Sequence, residues 1–317
     1  MSALRIAVLD DWQAVASQVV NWAPLQALGE VVFVHDYPAA TAVLIERLKD
    51  FDVICVMRER TVFDKALIDG LPRLKLLATG GMRNAALDLN AARERGVLVC
   101  GSDSYKHAAP ELTWALLMAL QRNLVAEANS LRSGGWQVGL GGDLYGKTLG
   151  ILGLGSIGQK VAGYAKAFGM RVIAWSENLT EARASEAGVT WVSKQQLFEQ
   201  ADILTVHLVL SPRSQGLVDA QALGWMKPTA LLINTSRGPI VDEQALIDAL
   251  QHQRLAGAAL DVFAQEPLPA DHPLRSLPNL LATPHIGYVT QNNYRQFFEH
   301  MIEDVLAWHA GTPIRLL

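Results

Sequence analysis

Cysteine, charge and long apolar runs are all scarce in this chain of 317 residues. The two cysteines, Cys55 and Cys100, stand alone in apolar surroundings, which excludes a disulfide framework and a cysteine-ligated zinc site. Charged residues make up 18% of the sequence and sum to a net charge of −4, which fits neither a disordered chain nor a strongly basic one. No apolar run approaches the roughly 18 residues of a membrane span, and the short N-terminal run is too brief for a signal peptide. We therefore expect a cytoplasmic protein that binds no membrane, no nucleic acid and no metal.

Half of the residues are hydrophobic, which is ample for the cores of about two domains of roughly 150 residues each. Short β-branched runs alternate with helical stretches, a pattern that predicts parallel sheets covered by helices on both faces. The predicted strands cover residues 4–9, 31–35, 53–57, 74–78 and 97–100, and then 149–152, 172–175, 203–207, 231–234 and 258–260. The predicted helices include residues 38–49, 87–95 and a long apolar helix over 107–125. The fold class is α/β with two doubly wound parallel-sheet domains.

A glycine-rich turn supplies the most informative local signal. The sequence LGILGLGSIG at residues 149–158 follows a predicted strand and opens a predicted amphipathic helix, which is the context that a dinucleotide-binding turn requires. Gly153 permits the tight turn, Gly155 allows a pyrophosphate to approach the backbone, and Gly158 allows the helix to pack on the strand. Ser156 and Ile157 lie between them at the helix start, where free N–H groups bind phosphate. The motif predicts a Rossmann domain that binds a nicotinamide dinucleotide.

The choice between NAD and NADP is less clear from the sequence. An NAD site usually places an acidic residue at the end of the next strand, where it binds the ribose hydroxyls. Here that position carries Ser176, and Glu177 follows one residue later without an adjacent arginine. We expect NAD, with NADP possible.

Three polar residues in the last third of the chain supply the groups that oxidation of a hydroxy acid needs. Arg237 follows a predicted strand, and its guanidinium can bind a carboxylate through two hydrogen bonds. His285 can exchange a proton with the alcohol or ketone oxygen, and Glu266 can orient it and favour its charged form. Taken singly, each residue is as well explained by a surface or structural role. Together they predict hydride transfer between nicotinamide and a 2-hydroxy or 2-oxo acid.

Four ordered motifs resemble the D-isomer-specific 2-hydroxyacid dehydrogenase family: GKTLGILGLGSIG at 146–158, INTSRGPIVDEQAL at 233–246, GAALDVFAQEPL at 257–268 and TPHIG at 283–287. The resemblance implies that Arg237, Glu266 and His285 form the catalytic set. It also implies that Asp261 lies beside the nicotinamide and that Thr235 and Leu208 line the cofactor cleft. A flavodoxin-like substrate domain is implied for residues 1–103 plus 283–317, with the dinucleotide-binding domain over 104–282.

The expected substrate loop departs from the family. It reads TGGMRN at residues 79–84, so that Gly81 and Met82 precede an arginine, Arg83, where a small residue is common. Arg58 also follows a predicted strand. Positive charge beyond that of Arg237 predicts a second polar or anionic group on the substrate, with a salt bridge to a neighbouring acid as the competing interpretation.

Two further expectations concern partners. Residues 133–146 are rich in glycine and carry Trp136 and Tyr145, and the family commonly dimerises through this region, so we expect a homodimer that buries both aromatic side chains. The alternative to an enzyme is an NAD-binding regulatory protein of the corepressor type, which can keep the same fold and the same polar set. A formate dehydrogenase resembles the chain less, because it has Gln where this chain has Glu266.

Overall fold

The computed structural model describes residues 3–36 and 40–317. The chain divides into two units. Unit 1 comprises Met1–Tyr105 with Val289–Leu317, and unit 2 comprises Lys106–Tyr288. The TPHIG motif thus lies in unit 2, whereas the sequence analysis assigned residues 283–317 to the first domain.

The twelve strands of the described residues follow the alternation expected from the sequence. They are β1 (Leu4–Val8), β2 (Gly29–Phe33), β3 (Val53–Val56), β4 (Leu76–Thr79), β5 (Leu98–Gly101), β6 (Thr148–Leu152), β7 (Arg171–Trp175), β8 (Thr190–Trp191), β9 (Ile203–Val206), β10 (Leu231–Asn234), β11 (Gly257–Leu260) and β12 (Leu280–Ala282). The short strands β8 and β12 were not predicted. They have only two and three residues, too few to show a strand pattern in the sequence.

Thirteen α-helices connect these strands within the same described ranges. They are α1 (Ala16–Val19), α2 (Ala23–Gln26), α3 (Thr41–Leu48), α4 (Lys65–Asp69), α5 (Leu89–Glu94), α6 (Ala108–Gln121), α7 (Leu124–Arg132), α8 (Ser156–Ala167), α9 (Glu181–Glu186), α10 (Lys194–Gln200), α11 (Ala220–Trp225), α12 (Glu243–Gln251) and α13 (Gln291–His309). Of the helix predicted from residue 38, positions 38 and 39 lie outside the described residues.

Unit 1 contains a parallel sheet with the strand order β2-β1-β3-β4-β5 in the described residues. This is the flavodoxin-like order, as expected. Helix α13 comes from the C-terminal segment and packs on this unit through side chains such as Phe297 and Phe298, which are almost completely buried. The ring of Phe297 lies 3.1 Å from the place that a Cβ atom would occupy at Gly80, so the backbone of the 79–84 loop is in close contact with the helix.

Unit 2 contains a parallel sheet with the order β12-β11-β10-β9-β6-β7-β8 in the described residues. Starting from β6, the chain first builds β7 and β8 on one side and then β9 to β12 on the other. This is the doubly wound Rossmann order extended by one strand, and it confirms the predicted fold class. The point at which the order reverses lies between β6 and β9, which is where such sheets bind ligands at the carboxyl ends of their strands.

The predicted helix over 107–125 is wrong in one respect, since the structure ends it early. Helix α6 stops at Gln121 and α7 begins at Leu124. Asn123 between them has a left-handed backbone with φ of 51°, and its side chain donates a hydrogen bond to the carbonyl of Leu140. Asparagine tolerates this conformation better than most residues, so it ends one helix and redirects the chain.

Residues 133–146 form the predicted irregular glycine-rich segment. Its large side chains are exposed in the single chain: Trp136 by 74%, Leu140 by 97% and Tyr145 by 85%. Within residues 3–36 and 40–317, no helix has both the length and the apolar character that crossing a bilayer demands.

Candidate active site

The glycine-rich turn of unit 2 joins β6 to α8 at the reversal point of the sheet. Gly153 has φ of +103°, and a Cβ atom there would lie 2.8 Å from the carbonyl oxygen of His207, which follows β9. Only glycine satisfies both conditions. A Cβ at Gly158 would lie 2.3 Å from the carbonyl oxygen of Gly153, so the first turn of α8 packs directly on the turn.

Gly155 leaves space where a phosphate would approach. It is the N-cap of α8, and a Cβ atom at this position would meet nothing within 4 Å. No side chain caps the helix start, and the first N–H groups of such a helix, here those of Ser156 and Ile157, together with the positive end of the helix dipole favour an anion. The geometry fits the pyrophosphate of a dinucleotide.

The rest of the predicted cofactor residues lie along the same sheet edge. Ser176 and Glu177 follow β7, and Leu208 follows β9; all three line one cavity. Thr235 follows β10, and its hydroxyl lies 2.6 Å from that of Thr113 on α6. Because the Thr113 hydroxyl also donates to the carbonyl of Ala109, the Thr235 hydroxyl donates to Thr113 and keeps its lone pairs for a ligand amide.

The three side chains predicted to bind and protonate the substrate follow three neighbouring strands of the sheet. Arg237 comes three residues after β10, Glu266 follows β11, and His285 follows β12. Since β10, β11 and β12 are parallel and adjacent, their carboxyl ends meet at one edge. The structure thus brings to a single edge groups that are far apart in sequence.

The Glu266 and His285 side chains are in direct contact. His285 Nδ1 lies 2.5 Å from Glu266 Oε2, and the side chains are 18% and 27% exposed. The other carboxylate oxygen of Glu266 accepts a hydrogen bond of 2.8 Å from the backbone N–H of Phe263. A carboxylate only accepts hydrogen bonds, so Nδ1 carries the hydrogen and Nε2 is left to exchange a proton with a ligand.

Asp261 holds the turn that carries His285. Its buried carboxylate accepts hydrogen bonds from the Thr283 hydroxyl at 2.6 Å and from the backbone N–H groups of Ile286 and Gly287 at 2.8 and 2.7 Å. Burial raises the pKa of the Asp261 carboxyl above its usual value. His285 itself has a left-handed backbone with φ of 52°, an unfavourable conformation that the three flanking hydrogen bonds maintain.

The turn that carries Arg237 is fixed by Asn234, a residue that the sequence analysis did not single out. The buried Asn234 side chain donates to the Arg237 carbonyl at 2.9 Å and accepts from the Ser236 N–H at 3.0 Å. Gly238 then packs on the backbone of Phe263, since a Cβ there would lie 2.0 Å from the Phe263 carbonyl carbon. The sequence signal that could have identified Asn234 is its position as a polar residue at the end of an apolar strand.

His207 is the second histidine at this edge, and it differs from His285. The residue is half-buried, its Nε2 atom is buried, and desolvation lowers its pKa to about 3. Its Nε2 atom has no hydrogen-bond partner among the described residues. His207 is therefore neutral at physiological pH, whereas His285 has a carboxylate partner.

The predicted substrate residues lie in unit 1, at the carboxyl ends of β3 and β4. A Cβ at Gly81 would lie 3.3 Å from Arg58 Nη1, so these two residues are neighbours, while Met82 and Arg83 are exposed. Arg58 Nε also lies 3.8 Å from Glu59 Oε1, which is the competing salt bridge. The segment after β3, which carries Arg58, is anchored by the buried Arg60, whose guanidinium donates to the hydroxyl of Tyr294 at 2.8 Å.

The expectation that Glu177 has no arginine beside it is wrong in the folded structure. No basic residue adjoins Glu177 in sequence, but Arg213 Nη1 lies 3.5 Å from Glu177 Oε2. Arg213 comes from the loop after β9, and β9 and β7 flank β6 in the sheet. Sequence spacing gave no signal for this contact.

The chain is similar to known proteins along most of its length. Residues 114–287 match the NAD-binding domain of the D-isomer specific 2-hydroxyacid dehydrogenases. A glyoxylate reductase of Korarchaeum cryptofilum is 35% identical over 281 residues, covering 86% of this chain and 84% of that protein. A D-3-phosphoglycerate dehydrogenase of Synechocystis is 38% identical over 280 residues, covering 86% of this chain. This chain spans about half the length (50%) of that dehydrogenase.

A solved structure covers nearly the whole chain. The phosphoglycerate oxidoreductase of Vibrio cholerae O395 is 38% identical with a TM-score of 0.94, covering 97% of this chain and 99% of that one. The chain belongs to the D-isomer-specific 2-hydroxyacid dehydrogenase family, as its motifs predicted.

The close approach at Gly158 gives a test of the turn. Gly158→Ala forces an added methyl group against the Gly153 carbonyl, and we expect it to lower the free energy of unfolding by about 1–3 kcal/mol. Gly163→Ala is the matched control on the same helix, because a Cβ there meets nothing within 4 Å. Urea denaturation should show Gly163→Ala as stable as the wild type or more so. Equal effects of the two substitutions would contradict the packing described for Gly158.

Proposed function

We propose that this protein is an oxidoreductase that moves a hydride between a nicotinamide dinucleotide and a D-2-hydroxy acid or its 2-oxo acid. The observation that carries the proposal is the Glu266–His285 pair, on the sheet edge that also holds Arg237 and the glycine turn. A bound nicotinamide supplies or accepts the hydride. The relatives named for phosphoglycerate and glyoxylate support the same class, since both compounds carry a carboxylate beside the reacting carbon.

Arg237 binds the substrate carboxylate in this proposal. A guanidinium offers two parallel N–H donors that match the two oxygens of a carboxylate, and this fixes the reacting carbon in one orientation. One donor, Nη1, already bonds to the carbonyl of Ser236 at 2.6 Å, which restrains the side chain near its own turn.

His285 is the proton donor for reduction and the proton acceptor for oxidation. In reduction, the 2-oxo carbon gains the hydride while its oxygen takes the proton from Nε2, so that a hydroxyl group forms. Glu266 accepts a hydrogen bond from the Nδ1–H group and thereby stabilises the charged ring before the transfer. The positive charge of Arg237 and of the protonated His285 also polarises the carbonyl group toward hydride attack.

The substrate selectivity is proposed to involve unit 1. Gly81 and Met82 contribute the loop backbone and an exposed apolar side chain, while Arg58 and Arg83 contribute positive charge. A second polar or anionic group on the hydroxy acid, such as the phosphate of phosphoglycerate, would interact with that charge. No described contact favours the regulatory alternative, and the matched relatives carry enzyme names.

Oxidation of NADH and NADPH with glyoxylate, hydroxypyruvate and pyruvate tests this proposal, and at least one 2-oxo acid should be turned over. His285→Gln should lower kcat by roughly 10²-fold or more, because the proton donor is lost, while cofactor binding is kept. His272→Gln is the matched control, since His272 is a second histidine paired with a glutamate in unit 2, Glu243, at 3.2 Å. Near-wild-type turnover by His285→Gln would remove this histidine from the role.

Arg237→Lys tests the carboxylate contact. Lysine keeps the charge but loses the paired donors, so kcat/KM should fall at least tenfold with little change in the dissociation constant of NADH. Arg254→Lys, in an exposed ion pair with Asp248, should leave both values unchanged. An unaltered kcat/KM in Arg237→Lys would show that another cation binds the carboxylate.

We also propose a homodimer formed through residues 133–146. The exposure of Trp136, Leu140 and Tyr145 leaves apolar surface that a second copy could cover. Light scattering should give twice the chain mass of 34.5 kDa, and Leu140→Asp should reduce it toward one chain. A concentration-independent monomer mass of the wild type would refute the proposal.

A further inference from the structure

A cavity of about 530 Å³ lies in unit 2 at the carboxyl ends of β7 and β9. Ser176 and Glu177 line it from the β7 side, and Leu208 and Arg213 line it from the β9 side. Residues that follow the second strand of a Rossmann domain face the adenosine ribose of a dinucleotide. The cavity therefore has the position at which a 2′-hydroxyl or a 2′-phosphate is distinguished.

Arg213 has a fixed backbone and an exposed side chain. The hydroxyl of Ser214, a buried residue, accepts from the Ser211 N–H at 2.8 Å and donates to the Val209 carbonyl at 2.7 Å, which closes the turn around Arg213. The Arg213 side chain is 67% exposed. The loop thus holds the Cα of Arg213 at the cavity while the guanidinium can still turn toward a ligand.

The contact between Arg213 and Glu177 is weak enough to be exchanged for a ligand. The Nη1–Oε2 distance is 3.5 Å, and the Glu177 side chain is 60% exposed. Exposed ion pairs at such distances contribute little to stability, because water screens both charges. A charged group on a ligand can replace either partner.

The pair offers one group for each form of the cofactor. A carboxylate accepts hydrogen bonds from ribose hydroxyls but repels a 2′-phosphate, while an arginine beside it binds that phosphate. With both side chains present, the repulsion by Glu177 is neutralised and a partner for the phosphate is supplied. We propose that Arg213 is the coenzyme-selecting residue of this chain and that it admits NADPH alongside NADH. This inference rests on the proposed function, because it requires a nicotinamide dinucleotide in the cavity.

The two members of the pair should act in opposite directions. Arg213→Gln removes the phosphate partner and should weaken NADPH binding about tenfold or more, with NADH binding within twofold of the wild type. Glu177→Gln removes the repulsion and a hydroxyl acceptor, so the ratio of NADPH to NADH affinity should rise several-fold.

Equilibrium fluorescence titration with NADH and NADPH, without substrate, measures this directly, and isothermal titration with adenosine 2′,5′-bisphosphate and AMP repeats it on the adenosine portion alone. Arg254→Gln is the control, because it removes an arginine from another exposed ion pair in the same unit. The assignment predicts a selective loss of the 2′-phosphorylated ligands in Arg213→Gln.

Two results would overturn the assignment alone. In the first, Arg213→Gln weakens the binding of NADH and NADPH equally, which would mean that the guanidinium contacts the adenine that both share. In the second, Arg213→Gln weakens the binding of neither cofactor. A wild-type protein that binds neither dinucleotide would contradict the proposed function and this assignment together.

Discussion

The hydrogen bond between Glu266 and His285 is the contact on which the proposed chemistry depends. It selects the tautomer of the imidazole and leaves Nε2 for the substrate. Its geometry is set from both sides, since the Phe263 N–H holds the glutamate and the Asp261 carboxylate holds the turn that carries the histidine. A group with this support loses little conformational freedom when a ligand binds, which favours proton transfer in one orientation.

The residues that follow the strand ends of the unit 2 sheet form a row along one edge of the sheet. Read across the sheet from β12 to β7, the strand ends present His285, Glu266, Arg237, Leu208, Gly153 and Ser176. The first half of this row carries charged groups suited to a small acid, and the second half carries backbone and small residues suited to a dinucleotide. The boundary lies between β10 and β9, one strand away from the reversal point at which Gly153 and the His207 carbonyl are in close contact.

Much of this arrangement could be predicted from the sequence, and the reasons are local. The glycine turn is recognisable because Gly153 and Gly158 each meet backbone atoms that no side chain would tolerate. The strands that end at Asn234 and Leu260 are recognisable because both faces are buried, so their residues are continuously apolar. The motifs after those strands then fall at one edge by topology alone.

The features that escaped prediction depend on contacts between distant segments. Arg213 contacts Glu177 across β6, which β7 and β9 flank in the sheet, and no spacing in the sequence reveals this. The break at Asn123 lies within a continuous helical pattern and depends on a contact with the Leu140 carbonyl. The hydrogen bonds that the Asp261 carboxylate accepts come from the turn after β12, a strand too short to be recognised from its residues.

A double-mutant cycle on kcat decides whether Glu266 acts through His285. The four proteins are the wild type, Glu266→Gln, His285→Gln and the double variant, compared with the best 2-oxo acid and a saturating cofactor. Glu266→Gln should lower kcat in the wild-type background and have almost no further effect once His285 is replaced. Independent, multiplicative losses from the two substitutions would contradict it.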